Sequence, residues 1–298
     1  MNLANFYPNG SQCVINDEVF KLADCASKAV LYEVSAFPKP GLVSPISSGA
    51  HDDMNYFTFI DSTTALMKYF ILFAMAGYSS KDLKEIFSDI RKIGIQAEAD
   101  MFAATGKVNT HKGMIFLMGV SLAATAKVLY ERQDFKRISS TIQEMTADLV
   151  LKDLHHLTKE TASTHGEKLY VNHNITGIRG EVEDGLPIVF LHALPFFQDN
   201  KDLTLNNQLI QTLFKIMTIC DDTTIIHRHN VNKLLEVKEK GKKILAMDGV
   251  RSKAGQEQLE QLCHCFIEER VSPGGSADLL AVTVFFDLVQ ESLFYSKN

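Results

Sequence analysis

The spacing of apolar residues is helical along almost the whole chain. Apolar side chains at positions 19, 22, 23, 26, 30 and 34 recur at three- and four-residue steps, which is the spacing of one buried helix face. Pro38 and Pro40 end this first helix. Similar patterns predict helices over residues 53–76, 80–104, 110–131, 139–151, 181–197, 206–217, 231–245, 255–269 and 276–293. Alternating, strand-like runs are nearly absent, so the predicted fold is all-α.

The organisation of the chain favours one domain. There is no repeat of 20 to 50 residues and no low-complexity linker, which predicts a single all-helical domain over residues 1–298. Hydrophobic residues make up 46% of the chain, enough for a sizeable core. A net charge of -6 with scattered basic residues argues against nucleic acid or an anionic membrane surface as the partner.

Neither cysteines nor apolar runs indicate a secreted or membrane protein. The five cysteines lack Cys-x-x-Cys spacing, so we expect reduced thiols. The longest apolar stretches, residues 66–76 and 114–128, are too short or interrupted by lysine to span a bilayer with about 20 residues. The N-terminus lacks a signal-peptide pattern. These observations predict a cytoplasmic protein.

Polar and glycine-containing residues cluster where the predicted helices begin or end, which is where a helical domain builds its site. The C-terminal cluster, SPGGSADLL at residues 272–280, combines a glycine hinge with a helix start. Its backbone amides suit an anion such as phosphate, with Gly274, Gly275 and Ser276 as the cradle. The alternative is an ordinary helix start with Ser276 as the N-cap and Asp278 complementing the helix dipole.

Several carboxylates are candidates for metal binding. Glu33 lies in the last turn of its helix, where the dipole disfavours a negative charge unless a metal, a basic partner or a ligand offsets it; the alternative is an exposed surface glutamate. Asp52 and Asp53 could bind metal or cap the following helix. Asp61 lies within an apolar pattern, and a buried carboxylate there would need a cation or several donors. Asp222 is a further metal candidate, and oxygen ligands of this kind suit Mg²⁺.

Basic residues in the same clusters indicate an anionic ligand. His111 and Lys112 follow Thr110 at a predicted helix start, where cations oppose the dipole and an anion would account for them; the alternative is a solvated helix end. Arg179 lies between two glycines and could bind carboxylate or phosphate, or simply belong to a turn. His227 and Arg228 follow Asp222 on a short predicted helix and add phosphate donors.

Five of these runs together resemble the triphosphoribosyl-dephospho-CoA synthase family. The matching runs are PKPGLV at 38–43, SGAHDDM at 48–54, VNTHKG at 108–113, TGIRGE at 176–181 and SPGGSADLL at 272–280. They occur in the family's order and span nearly the whole chain. The chain departs from the family's usual residues at Ser44, Lys107, Thr224, His229 and Asn230, so the ligand pocket could be altered there.

The resemblance implies glycosyl transfer between ATP and 3′-dephospho-CoA with release of adenine. The product is the prosthetic-group precursor of citrate lyase or malonate decarboxylase, which passes on to an acyl-carrier-protein subunit. The ribose 2′-hydroxyl of dephospho-CoA attacks C1′ of the ATP ribose, through an oxocarbenium-like state that calls for a carboxylate, a base and an acid. The resemblance leaves the oligomeric state open, and a homodimer would be compatible with it.

On this resemblance we assign hypothetical roles to the clustered residues. Glu33, Asp52, Asp53 and Asp222 hold Mg²⁺ on the triphosphate, and Glu167 or Glu181 is the base or the cation-stabilising carboxylate, with His111 as the acid. The groups expected to bind the phosphates are Lys39, His51, Thr110, Lys112, Arg179, His227, Arg228, Gly274, Gly275 and Ser276.

Two other functions are open at this point. The His51-Asp52 pair invites comparison with metal-dependent helical phosphohydrolases, although further histidines at suitable spacing are not found upstream. A non-catalytic helical protein that binds ATP or docks onto a lyase or decarboxylase subunit is the second alternative. Free adenine, inorganic phosphate or binding without turnover would distinguish the three.

Overall fold

The computed structural model describes residues 16–295, and most of them are helical. The helices of the first half are α1 (Asp17–Ser35), α2 (Tyr56–Gly77), α3 (Leu83–Ala104), α4 (Lys112–Tyr130), α5 (Arg137–Met145), α6 (Leu149–Asp153) and α7 (His165–His173). Those of the second half are α8 (Ile178–Glu183), α9 (Leu194–Asp199), α10 (Leu205–Met217), α11 (Thr223–Arg228), α12 (Val231–Ala246), α13 (Lys253–Glu268) and α14 (Gly274–Val289). Residues 16–295 contain no β-strand, which confirms the predicted all-α fold.

Side-chain caps fix several of the helix starts. The Asn16 side chain accepts a hydrogen bond from the backbone NH of Glu18 at the start of α1. Asn55 and Asp82 form capping boxes at the starts of α2 and α3, in which the cap and the third helical residue satisfy each other's backbone NH groups. These caps place the starts of α2 and α3 three residues later than the apolar pattern alone predicts.

Helices α4 and α14 form the centre of the protein. Both are buried on nearly all sides, whereas α1 and α3 bury one face each. Helices α1 and α2 pack against this centre, and α3 and α10 cover it. One continuous core cluster includes residues from Val19 to Leu293.

Two predicted helices are interrupted. The predicted segment 139–151 divides into α5 and α6, because Asp148 has a positive φ of 64° that a helix cannot continue through. The predicted segment 181–197 divides into α8, a π-helical stretch (Ile188–Ala193) and α9. Helix α7 was not predicted, although Thr164 and Glu167 form the sequence signature of a capping box at its start.

Two of the helices are longer than the apolar runs suggested. By length and composition alone, α2 and α4 could each cross a membrane, so the expectation that their apolar runs are too short was wrong for the helices that contain them. In α4, 83% of the most apolar stretch is buried inside the protein, as in a core helix. The same share in α2 is 44%.

A glycine contact joins the N-terminal loop to the loop before α14. Gly41 has a positive φ of 68°, and a Cβ added there would lie 1.9 Å from the carbonyl oxygen of Val271. Only glycine permits both this conformation and this approach. The run at 38–43 is thereby held against the start of the C-terminal run, although the two are far apart in sequence.

Candidate active site

A cavity of about 770 Å³ lies among α1, α4, α11 and α14, and we call it the central cavity. Each of the five sequence runs contributes to its wall. The run at 38–43 supplies Lys39, the run at 48–54 supplies His51, and the run at 108–113 supplies His111. Arg179 and Asp278 come from the two remaining runs. The fold therefore brings the dispersed polar clusters together around one space.

Glu33 and Lys39 form a buried ion pair in the wall of the cavity. The Lys39 ammonium lies 2.6 Å from Glu33 Oε1 and also donates to the Glu33 carbonyl at 2.6 Å. Their side chains are 8% and 1% exposed. Burial lowers the pKa of Lys39, and the adjacent Glu33 carboxylate opposes that shift. Of the partners considered for Glu33, the structure provides the basic residue.

Asp222 caps two helices at once. Its Oδ1 accepts hydrogen bonds from the backbone NH groups of Thr224 and Ile225 at the start of α11. Its Oδ2 accepts from the backbone NH and the hydroxyl of Ser276, at 2.8 and 2.9 Å. Burial raises the pKa of Asp222, and the hydrogen bonds from Ser276 oppose that shift.

This capping corrects two expectations about the C-terminal run. Helix α14 begins at Gly274 after Pro273, without a side-chain cap from Ser276. The Ser276 amide, expected to bind phosphate, donates to the Asp222 carboxylate instead. Gly274 and Gly275 line the cavity, but a Cβ on Gly275 would lie 3.2 Å from the Asp222 carboxylate. A protein carboxylate occupies the anion position that the sequence suggested for phosphate.

His111 is buried at the cavity wall with a fixed orientation. Its Nδ1 lies 2.7 Å from the Ser62 hydroxyl, which accepts a hydrogen bond from Thr110. The Ser62 hydroxyl accepts from Thr110 and still has its own proton to donate to Nδ1, and in that arrangement the imidazole proton is on Nε2. Among the described residues, the buried Nε2 has no hydrogen-bond partner.

The protonation state of His111 differs from the role assigned to it. Burial, together with nearby Lys39, lowers its pKa to about 3. The ring is therefore neutral at neutral pH, and it carries no imidazolium proton to give as a general acid. A neutral ring with its proton on Nε2 can still donate a hydrogen bond to a bound ligand.

His51 separates the central cavity from a second one. His51 Nε2 is 2.9 Å from the Ser272 hydroxyl, and Nδ1 is 3.2 Å from the Arg228 guanidinium. Burial and Arg228 lower the pKa of His51 to about 4. The second cavity, about 540 Å³ and here called the outer pocket, also contains Asp52 and Asp53.

The residues of the outer pocket are mainly paired with one another. Asp52 forms a 2.7 Å ion pair with Arg270, both largely exposed. The guanidinium of Arg228 also donates to the Ala50 carbonyl. Arg228, Asp52 and Asp53 line the outer pocket, whereas His227 lines the central cavity.

Three further cations of the central cavity are paired with carboxylates. Lys112 lies 2.6 Å from Glu98, and Arg179 and Arg91 both contact Asp153, at 3.2 and 2.9 Å. Glu98, Asp153 and Arg91 were not identified from the sequence, because their contribution depends on α3 and α6 approaching the cavity. The amphipathic pattern of α3 gives no sign of this.

Neither of the two candidate base residues lines the central cavity. Glu167 belongs to the capping box of α7 and accepts from the amides of Ser163 and Thr164. These hydrogen bonds, that of Thr164 above all, lower the pKa of Glu167 to about 2. Glu181 accepts from the backbone NH of Ile188 at 2.7 Å, and burial raises its pKa to about 7. Both carboxylates have structural roles at helix boundaries.

The four predicted metal ligands do not converge. Glu33 pairs with Lys39, Asp222 caps two helices, and Asp52 and Asp53 lie in the outer pocket. Residues 16–295 contain no group of three or more His, Cys, Asp or Glu side chains placed to hold a metal ion. The predicted set therefore does not fit a shared Mg²⁺ site. Asp61, expected to be buried, is exposed on the outer face of α2.

Asp278 lines the cavity, whereas the sequence suggested for it only a role in complementing the helix dipole. It lies one turn into α14 and lines the central cavity. Its Oδ2 lies 2.4 Å from the position of a Cβ on Gly113, so the carboxyl group packs against the start of α4. Burial, Glu33 and Asp222 raise its pKa well above the usual range. The available signal was an aspartate followed by a run that is apolar except for Thr283, because a carboxyl group in such a setting needs a compensating partner or a raised pKa.

Two of the five departures from the family's residues concern a backbone conformation and the wall of the central cavity. Lys107 has a positive φ of 72°, a conformation in which glycine is the favoured residue. Thr224 lines the central cavity, and its hydroxyl lies 3.2 Å from the position of a Cβ on Gly274. Thr224 is therefore the departure that borders the ligand space.

Comparison with known proteins gives one consistent result. Residues 19–295 match the CitG family, described as ATP:dephospho-CoA triphosphoribosyl transferase. The chain is 42% identical over 273 residues to a probable 2-(5''-triphosphoribosyl)-3'-dephosphocoenzyme-A synthase of Lactiplantibacillus plantarum, covering 90% of this chain and 96% of the relative. Proteins with the same name from Streptococcus mutans and Streptococcus pyogenes serotype M5 are 34% and 36% identical, covering 92% and 91% of this chain and 98% and 97% of the relatives. No solved structure matches.

Proposed function

The chain belongs to the ATP:dephospho-CoA triphosphoribosyl transferase family, and we propose that the central cavity is where it joins ATP to 3′-dephospho-CoA. The protein is a transferase that makes 2′-(5″-triphosphoribosyl)-3′-dephospho-CoA. Adenine is the leaving group, because the bond that breaks joins C1′ of the ATP ribose to the base. The phosphates stay together on the transferred sugar.

One observation carries the placement of the reaction. All five runs that resemble the family line the central cavity, although they are spread from residue 38 to residue 280. Such convergence is expected of residues that share a ligand, whereas residues needed only for helix packing would be distributed through the core. The wall also combines apolar side chains with a limited set of polar groups, as a nucleotide requires.

The cavity offers donors for the triphosphate and a hydrogen bond for the substrates. Lys39, Lys112 and Arg179 would contact phosphate oxygens, with Arg91 in the place first given to Arg228. His111 would donate to the substrate from Nε2, which has no hydrogen-bond partner among the described residues. These residues bind and orient the phosphates without cleaving them.

Mg²⁺ would enter with ATP rather than bind to a preformed protein site. Mg²⁺ commonly uses one or two carboxylates together with substrate phosphates and water. The predicted four-carboxylate set does not converge, so we assign the ion no protein ligands. When bound to the triphosphate, it would neutralise part of the phosphate charge.

The product's role is the second part of the proposal. The enzyme would act in the cytoplasm and supply the prosthetic-group precursor for an acyl-carrier-protein subunit of citrate lyase or malonate decarboxylase. The proposed site needs no partner protein beyond this pathway. A homodimer would be compatible with the proposed site.

The test uses purified protein with ATP, Mg²⁺ and 3′-dephospho-CoA. We expect adenine and a product whose mass equals dephospho-CoA plus triphosphoribose, both depending on dephospho-CoA. CoA, which carries a 3′-phosphate beside the 2′-hydroxyl, serves as the matched control substrate. Inorganic phosphate without adenine would support a phosphohydrolase instead, and ATP binding without turnover would support a non-catalytic partner protein.

A further inference from the structure

Four carboxyl groups line the central cavity, and they differ in their partners. Glu33 lies 2.6 Å from Lys39, and Glu98 lies 2.6 Å from Lys112. Asp153 contacts two arginines. Within the described part of the chain, neither a cation nor a hydrogen-bond donor is found on Asp278. This carboxyl group is therefore the one in the wall that no protein cation stabilises as an anion.

The surroundings of Asp278 favour its neutral, protonated form. Glu33 faces it from α1 and Asp222 from the start of α11, and both add negative charge. Lys39, which also lines the cavity, is paired with Glu33. His111, at the start of α4, is neutral, and His227 of α11 also lines the cavity. A bound triphosphate would add more negative charge and favour the protonated form further.

The position of Asp278 is fixed by backbone packing. The carboxyl group lies against Gly113, where even a methyl group would be 2.4 Å from Oδ2. It projects from one turn into α14, a helix that is almost completely buried. A group that takes part in proton transfer must hold its place relative to the substrate, and the buried helix together with the close approach to Gly113 restricts where the carboxyl group can lie.

We propose that Asp278 is the catalytic proton donor to the departing adenine. This inference rests on the proposed function. The C1′–N9 bond of ATP breaks and its electron pair leaves with adenine, while the Asp278 proton passes to a ring nitrogen of the base. The 2′-oxygen of dephospho-CoA forms the new bond to C1′. Its proton, strongly acidic once that bond forms, passes to water, and water returns a proton to the Asp278 carboxylate.

The experiment compares the D278N and D278E variants with the wild-type protein. Adenine release is measured at saturating substrates between about pH 5 and pH 9, because an acid that must be protonated loses activity as pH rises through its pKa. We expect D278N to lower kcat by about 10²- to 10⁴-fold with little change in KM for ATP. D278N should also lose the decline at high pH, and D278E should restore part of the rate together with that decline.

A modified substrate separates proton donation from a structural role. 7-Methyladenosine 5′-triphosphate carries a positively charged base that leaves without being protonated. With this analogue, D278N should therefore react at nearly the same rate as the wild-type protein. With ATP, D278N should remain much slower than the wild-type protein. Equal losses with both substrates would overturn the proposal. So would a D278N defect that higher Mg²⁺ concentrations reverse, because that behaviour belongs to a metal ligand.

Two controls complete the design. The D61N variant changes an exposed aspartate outside the cavity and should match the wild type in rate and pH profile. Circular dichroism and thermal unfolding check that D278N is folded. If the wild-type protein releases no adenine, the proposed function fails; if it does and D278N is equally active with ATP, only the role of Asp278 fails.

Discussion

At the scale of single residues, the Glu33–Lys39 pair shows how a helix end can hold a carboxylate that its own dipole disfavours. Lys39 contacts both the Glu33 side chain and the free carbonyl of the same residue. The K39M substitution would leave a buried carboxylate without its partner. We expect the free energy of unfolding to fall by about 3–5 kcal/mol, measured by urea denaturation at neutral pH.

The double variant E33Q/K39M is the matched control for this prediction. It removes both charges, so most of the lost stability should return, because the cost comes from the unpaired charge. If the double variant were as unstable as K39M alone, the loss would come from packing of the lysine side chain.

Glu167 illustrates a residue whose chemistry changes once its neighbours are known. Its carboxylate caps α7, so E167Q should release adenine at the wild-type rate and lose less than about 1 kcal/mol of stability at neutral pH. Because the pKa of Glu167 is lowered in the folded protein, the ionised carboxylate stabilises the fold at pH values above its ordinary pKa of 4.5. This contribution disappears as pH falls through about 2. Unfolding experiments at several pH values should show the two proteins converging in acid, and a slower E167Q enzyme would return this residue to the chemistry.

At the scale of helices, Asp222 connects two elements that begin 51 residues apart, at Thr223 and Gly274. The D222A substitution removes the caps of both helices. Since one cap contributes about 0.5–2 kcal/mol, we expect a loss of about 1–4 kcal/mol in the free energy of unfolding. D222N keeps an oxygen acceptor and should lose less. Equal losses in the two variants would mean that shape rather than hydrogen bonding matters at this position.

The helices themselves were largely predictable, because the 3.6-residue apolar period survives in most of them. The interruptions were not. Residues 188–193 keep the apolar pattern of a helix and yet form a π-helical stretch, which depends on how α8 and α9 pack. Asp61 was misjudged because α2 also exposes Phe57 and Met67, so an apolar neighbourhood in sequence did not indicate burial.

At the scale of the whole molecule, the two cavities have different roles in the proposal. The double variant D52N/D53N alters only the outer pocket, so kcat and the Mg²⁺ dependence should stay within about twofold of wild type. R179A removes a charged donor from the central cavity and should raise KM for ATP by about 10- to 100-fold. Steady-state kinetics at several Mg²⁺ concentrations test both. A shifted Mg²⁺ dependence in D52N/D53N would instead indicate that Asp52 or Asp53 binds the ion.

The site was predictable as a set of segments but not as a geometry. The sequence runs identified most of the stretches that line the cavity, since polar residues at helix ends stand out from the apolar pattern, but they missed Arg91 and Glu98 of α3 and Asp153 of α6. Arg179 pairs with Asp153, and Lys112 pairs with Glu98. Both pairs depend on long-range packing that cannot be predicted from the residue pattern of a single sequence. For the same reason, the sequence did not show that the candidate bases Glu167 and Glu181 lie outside the lining of the central cavity.

The contact of Gly41 with Val271 has a consequence for the order in which the protein can be made. The wall of the central cavity needs α14, near the end of the chain, pressed against a loop near its beginning. A nascent chain leaving the ribosome must therefore include α14 before the proposed nucleotide site can form. Under the proposal, ATP can therefore stabilise only chains in which α14 has already been synthesised and packed against the loop of Gly41.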